Sequence, residues 1–203
     1  MWTPHSSGRP NGGFALSLHE TMRITRLRDL IRDVPDFPRP GIMFKDITPL
    51  LANPAGLALA VEYLTQPFRH MKVDLVAGAE SRGFIFGTAV AQCLSAGFVP
   101  IRKPGRLPHA THGEEYALEY GADRVEIHKD AVEPGDRVLL VDDVLATGGT
   151  MSACCRLVGA LGGNIVGVAV LIELVFLNGR NRVGDFPIHS ILRYDSEASM
   201  PDV

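Results

Sequence analysis

The chain has 203 residues, 46% of them hydrophobic and 21% charged, enough for one ordinary domain with a full apolar core and the balance of a soluble globular protein. A formal net charge of -3 gives no long-range pull on polyanions, so general nucleic-acid binding is excluded and any phosphate site must come from local geometry. Cys93, Cys154 and Cys155 lack metal-ligand spacing and read as reduced helix-core thiols, no apolar run approaches the roughly 20 residues of a membrane span, and the expected location is the cytoplasm.

In chain order, residues 1–21 are expected to be a disordered extension: residues 1–19 contain no Asp or Glu, Gly, Pro and Ser abound, and apolar side chains are scattered. The lack of acids also fits an organelle-targeting segment, for which the single Arg9 is a poor match, and Met22 is an alternative start. A single domain is expected over 22–203. A helix is predicted over 24–34, with Leu27, Leu30 and Ile31 on one face. Prolines 35, 38 and 40 then impose a shaped loop ending at Gly41. A helix over 54–70 follows, capped by Asn53, with Pro54 in its first turn and Leu57, Val61 and Leu64 facing inward.

Strands are predicted over 73–77, 98–102, 124–128, 137–141, 165–171 and 188–194, and helices over 83–96 and 150–161. Residues 103–123 read as a long irregular stretch, and loops of that length are usually functional or disordered. Alternating strands and helices imply an α/β fold with a mostly parallel sheet covered on both faces.

The passage 138–150 carries the clearest chemistry. Val138-Leu139-Leu140-Val141 is an unbroken apolar run suited to a central parallel strand, and Asp142-Asp143 follow at its carboxyl end, where open α/β sheets place ligands. Ala146-Thr147-Gly148-Gly149-Thr150 then opens a helix. The glycines let backbone N–H groups turn inward, and those donors, the hydroxyls of Thr147 and Thr150 and the positive end of the helix dipole form a phosphate site without Lys or Arg. The adjacent acids suit a neutral diol, because carboxylates accept hydrogen bonds from vicinal hydroxyls, and a ribose 5-phosphate carries both groups.

Residues 138–150 resemble the phosphoribosyl pyrophosphate motif of the type I phosphoribosyltransferases. The resemblance implies that family's fold: a core parallel sheet flanked by helices, a small hood near 35–50 and 172–195, and a flexible lid loop. It also implies magnesium, held mainly through the phosphoribosyl pyrophosphate substrate, and a homodimer, with neither nucleic acid nor membrane as partner. Asp142 and Asp143 are then handles for the diol rather than magnesium ligands.

Three further segments resemble the branch of the family that acts on adenine. Residues 37–49 resemble the base-binding hood, in which Phe44 stacks on the purine, backbone groups around Met43 read its amino edge, and Lys45, where the family often has Arg, lies nearby. Residues 77–83 resemble the pyrophosphate loop, with Ser81 on the anion and Arg82 as a planar donor fork; Arg102, Lys103 and Arg106 add charge, in the family often across a subunit interface. Residues 116–121 resemble the lid, with Glu119 as general base toward N9, Tyr120 beside it contacting substrate, and Glu114 and Glu115 as competing bases. Leu174 resembles the second face of the base sandwich. The implied reaction joins adenine to phosphoribosyl pyrophosphate, giving AMP and pyrophosphate; transfer to a 6-oxopurine or orotate, or a regulator that binds the sugar phosphate without turnover, are the alternatives.

Overall fold

In the computed structural model, which describes residues 18–117 and 122–196, helix α1 (Leu18–Arg28) leads to a two-stranded antiparallel unit, β1 (Arg32–Val34) with β2 (Phe44–Asp46). The helix predicted over 24–34 therefore starts earlier and stops at Arg28. Pro35 pushes Val34 toward the extended region, and Asp33 lies opposite Lys45 in the strand register, 2.6 Å from its ammonium. In the intervening loop, the Gly41 N–H donates to the Asp36 carboxylate at 2.8 Å, and Gly41 has φ +85°, a conformation L side chains rarely adopt.

A short helix absent from the sequence reading, α2 (Thr48–Ala52), precedes α3 (Pro54–Thr65). Asn53 caps α3, accepting from the Gly56 N–H at 2.9 Å. The helix ends five residues before the predicted His70, because Pro67 has no N–H for the ladder, and a 3-10 turn (Gln66–Phe68) takes over. Leu64 is fully buried, whereas Leu57 and Val61 are half-buried against the same core.

The main sheet follows. Strand β3 (Leu75–Ala79), helix α4 (Gly83–Leu94) and strand β4 (Gly97–Ile101) form one crossover; β7 (Arg137–Leu145), α5 (Gly149–Ala160), β8 (Asn164–Leu174), a 3-10 turn (Val175–Leu177), α6 (Arg180–Val183) and β9 (Ile188–Tyr194) form the rest. Between them lie β5 (Thr111–Ala117) and β6 (Ala122–His128), paired antiparallel. The five-stranded sheet is parallel throughout, in the order β4-β3-β7-β8-β9. From β3 the chain proceeds outward to β4, then returns to place β7 on the other side. The β3/β7 boundary is therefore the topological switch point, where a crevice opens at the carboxyl ends of the strands.

Alternation along the strands divides the core. Val76, Leu139 and Val141 pack with α3 and α4 on one face, whereas Ala77, Val138 and Leu140 pack with α5 and β6 on the other. Cys154 and Cys155 belong to this second core, burial pushing the Cys155 thiol up to about 12. Cys93, read as a core residue, is exposed on α4.

Part of the expected irregular stretch over 103–123 is strand instead: 111–117 form β5 and 122–123 open β6. Tyr116 supplies its strand with a buried anchor, while Gly113, Glu114 and Glu115 carry no apolar period; pairing with β6, rather than local pattern, defines β5. Likewise β7 continues to Leu145, so Asp142 and Asp143 lie inside the strand and not beyond it.

Leu64→Ala should cost about 2–5 kcal/mol, as buried Leu truncations do, and so lower the melting temperature by about 2–4 °C per kcal/mol. Denaturant titration checks this; a loss below about 1 kcal/mol would mean that α3 does not anchor the core.

Candidate active site

At the β3/β7 crevice, the loop after β3 and the end of β7 with its following turn enclose a cleft of about 330 Å³. Its lining contains Ser81 and Arg82 from the first loop, and Asp142, Asp143, Ala146, Thr147, Gly148, Gly149 and Thr150 from the second. Residues the sequence reading placed in two separate motifs thus share one wall. Glu80, Val144, Leu145 and Met151, not singled out from sequence, complete it.

Gly148 has φ +79° and precedes the first turn of α5, whose unpaired N–H groups face outward from the helix start. Gly83, just beyond the lining residue Arg82, must lack a side chain: a Cβ there would stand 2.9 Å from the Asp142 carboxylate and 3.0 Å from the Val141 carbonyl. Absence of that carbon lets α4 begin directly against β7.

Arg82 joins the two halves of the site. Its Nε donates to the Asp143 carboxylate, which is buried, while its guanidinium lies 5.2 Å from the centre of the Phe44 ring. Phe44 also meets Phe37 edge-on at 5.0 Å. Arg82 thereby connects the proposed ribose-facing acid to the hood aromatic. Asp142 accepts the Asp143 N–H at 2.8 Å; burial, and then the neighbouring Asp143 charge, push its carboxyl well above the usual range.

The remaining expected residues lie around this cleft. Met43 and Phe44 are half-buried in the hood, and Leu174, half-buried at the end of β8, packs against the first core. Lys45 is on the other face of β2: its ammonium meets Asp33 and lies 4.3 Å from the Tyr194 ring centre, so it is used in packing the hood. Arg102 forms a two-pronged contact with Glu80 at 3.1 and 3.3 Å and also donates to the Arg106 carbonyl. The Lys103 N–H donates to Glu80 at 2.9 Å, holding that carboxyl below its ordinary range, and the Lys103 ammonium meets Tyr116 and Asp123. Arg106 is exposed. None of these three basic residues is in the described lining of the cleft. Glu119 and Tyr120 lie outside the described residues. Of their competitors, Glu114 accepts from Arg156 at 3.0 Å, and Glu115 lies 3.9 Å from Arg124.

Fold and site together define a phosphoribosyltransferase: the sequence pattern of the phosphoribosyl transferase domain matches residues 46–195. A curated relative from Rhodopirellula baltica, named adenine phosphoribosyltransferase, is 54% identical over 84% of this chain and 83% of its own; one of the same name from Acaryochloris marina is 54% identical over 83% and 99%. The crystal structure of adenine phosphoribosyltransferase from Rhodothermus marinus superposes with a TM-score of 0.83 at 54% identity, over 86% of this chain and 99% of that one. The chain belongs to the adenine phosphoribosyltransferase family.

The raised Asp142 carboxyl gives a pH prediction. A folded-state value above the unfolded one means stability is fully present below about pH 4, where an ordinary carboxyl titrates, and is lost as pH rises through the folded value. Asp142→Asn should therefore melt above the wild type by a margin that widens with pH; a margin constant from acid to neutral pH would refute the assignment.

Proposed function

We propose that this protein transfers the 5-phosphoribosyl group of phosphoribosyl pyrophosphate to N9 of adenine, giving AMP and pyrophosphate in purine salvage. The observation that carries the reading is Arg82, which touches both Phe44 of the hood and Asp143 of the cleft. The 5-phosphate sits on the N–H groups and hydroxyls of 147–150, the ribose diol donates to Asp142 and Asp143, and the pyrophosphate faces Ser81 and Arg82. Phe44 supplies an aromatic face to the purine, and Leu174 the opposing apolar one.

In the reaction, the bond from C1 of the ribose to the pyrophosphate oxygen breaks and pyrophosphate leaves with the electron pair. Positive charge develops on the sugar, and the acids beside it stabilise that charge. The new bond forms from N9, whose proton passes to Glu119. Glu119 is preferred because it is the residue that matches the lid segment; Glu114 accepts from Arg156, and Glu115 lies 3.9 Å from Arg124.

Among the described residues no group of three or more His, Cys, Asp or Glu is arranged to hold a metal ion. Magnesium is proposed to arrive on the pyrophosphate as part of the substrate, where it would neutralise the leaving group. No described helix is long and apolar enough to cross a membrane. A cytoplasmic homodimer is the proposed working form; the three cysteines without a disulfide support the compartment, and exposed Arg106 outside the cleft is the cation placed to reach a second subunit's site.

The test is base competition with magnesium and phosphoribosyl pyrophosphate: adenine should be consumed far faster than hypoxanthine, guanine or orotate, and equal use of a 6-oxopurine would sink the adenine assignment. Glu119→Gln should lower kcat by about 10²- to 10⁴-fold, with a much smaller change in the adenine KM. Unchanged turnover would remove Glu119 as the base.

A further inference from the structure

Strand β8 is apolar from Ile165 until Glu173, whose side chain is only 4% exposed. A buried carboxylate is costly unless both oxygens are engaged. Here Arg180 grips both, Nε to Oε1 at 2.9 Å and Nη2 to Oε2 at 2.7 Å, and the Ser190 hydroxyl donates to Oε2 at 2.5 Å. Arg193 adds a further positive charge at 3.7 Å, and Arg180 also donates to the Ile188 carbonyl at 3.1 Å. The ion pair thus closes a strap, residues 174–179, and fixes its far end to β9.

That far end touches the phosphate turn, backbone against backbone. A Cβ on Gly179 would stand 2.0 Å from the Ala146 carbonyl oxygen and 2.9 Å from the Gly148 nitrogen; a Cβ on Gly148 would stand 2.2 Å from the Gly179 carbonyl oxygen. No flexible side chain lies between them to absorb a shift. The turn that presents N–H groups to the phosphate is therefore braced by the strap, and the strap by the ion pair. Neither Glu173 nor Arg180 is in the described lining of the cleft.

We propose that Glu173 and Arg180 are positioning residues for the sugar-phosphate site, acting through the contact of Gly179 with Ala146 and Gly148. The inference rests on the phosphate site proposed above and extends it to residues outside the cleft. A merely structural ion pair would lower stability and leave the affinity of the folded protein intact. A brace sets the geometry of the N–H groups, and sub-ångström displacement of such donors is felt in binding.

The probe is ribose 5-phosphate, measured by calorimetry on the full chain well below each variant's melting temperature, alongside KM for both substrates. Arg180→Lys, which keeps the charge but loses the fork, and Gly179→Ala, which drives a carbon into the turn, should each raise the dissociation constant and the phosphoribosyl pyrophosphate KM by about tenfold. The adenine KM, which reads Leu174 at the near end of the strap, should rise by less than the phosphoribosyl pyrophosphate KM. Combined, the two changes should fall short of the product of their separate effects, because they act through one contact. Should Arg180→Lys not fold, Ser190→Ala removes one hydrogen bond from Glu173 and should give a smaller rise, about two- to threefold. Lowered melting temperatures with unchanged ribose 5-phosphate affinity in all variants would overturn the proposal. Failure of the wild type to bind ribose 5-phosphate would overturn the phosphate-site reading first, and this inference with it.

Discussion

The parallel pairing of β3 with β7 is the constraint on which the site depends. Leu75 to Gly78 lie opposite Val138 to Val141, and the chain leaves the two strands toward opposite sides of the sheet. That divergence opens the crevice and delivers two helix starts to it, α4 after Arg82 and α5 after Gly148. The start of α4 packs closely on β7 because Gly83 has no side chain to hold it away. Four consecutive β7 residues, Val138 to Val141, are essentially inaccessible, each stabilising the fold by about 1.5–3 kcal/mol on burial. This apolar anchoring offsets the cost of placing two acids immediately after it in the same strand.

The acids themselves are handled unequally, and the inequality is informative. Asp143 is matched by Arg82, Glu80 by Arg102 and the Lys103 N–H, and Glu173 by Arg180. Asp142 accepts the N–H of Asp143 at 2.8 Å, and its proton affinity is raised by burial and by the adjacent charge. A carboxyl strained in this way is one that a ligand's hydroxyl donors relieve, which is why perturbed groups concentrate at functional sites.

Much of this was legible from residue order. The apolar run ending in Asp142-Asp143, followed by Gly148-Gly149, locates the strand-to-helix turn at the cleft because strand period and helix start are local signals. The hood loop announces itself through its prolines and Gly41. What stayed hidden depends on partners distant in sequence. The true role of Val34 needed Phe44 opposite it, β5 needed β6, and the inward turn of Lys45 needed Tyr194. The strap could have been suspected: Glu173 is a lone acid in an apolar strand, with Arg180 seven residues on. Its contact with the phosphate turn could not, because backbone packing of Gly179 on Ala146 leaves no signature in residue type beyond a glycine.

With the phosphate donors proposed as backbone groups, the negative net charge and the acidic cleft are consistent. Arg82, the cation in the described lining, is already engaged by Asp143. A bare polyanion entering this cleft would meet N–H donors at the α5 start, but also Asp142, Asp143 and Glu80 with no donors to offer them. A phosphorylated ribose brings its own hydroxyls to the acids while its phosphate reaches the turn. On the proposed reading, the same carboxylates disfavour a nucleic-acid backbone and favour a sugar phosphate, so selectivity arises from the unfavourable interaction with the wrong anion as much as from attraction to the right one.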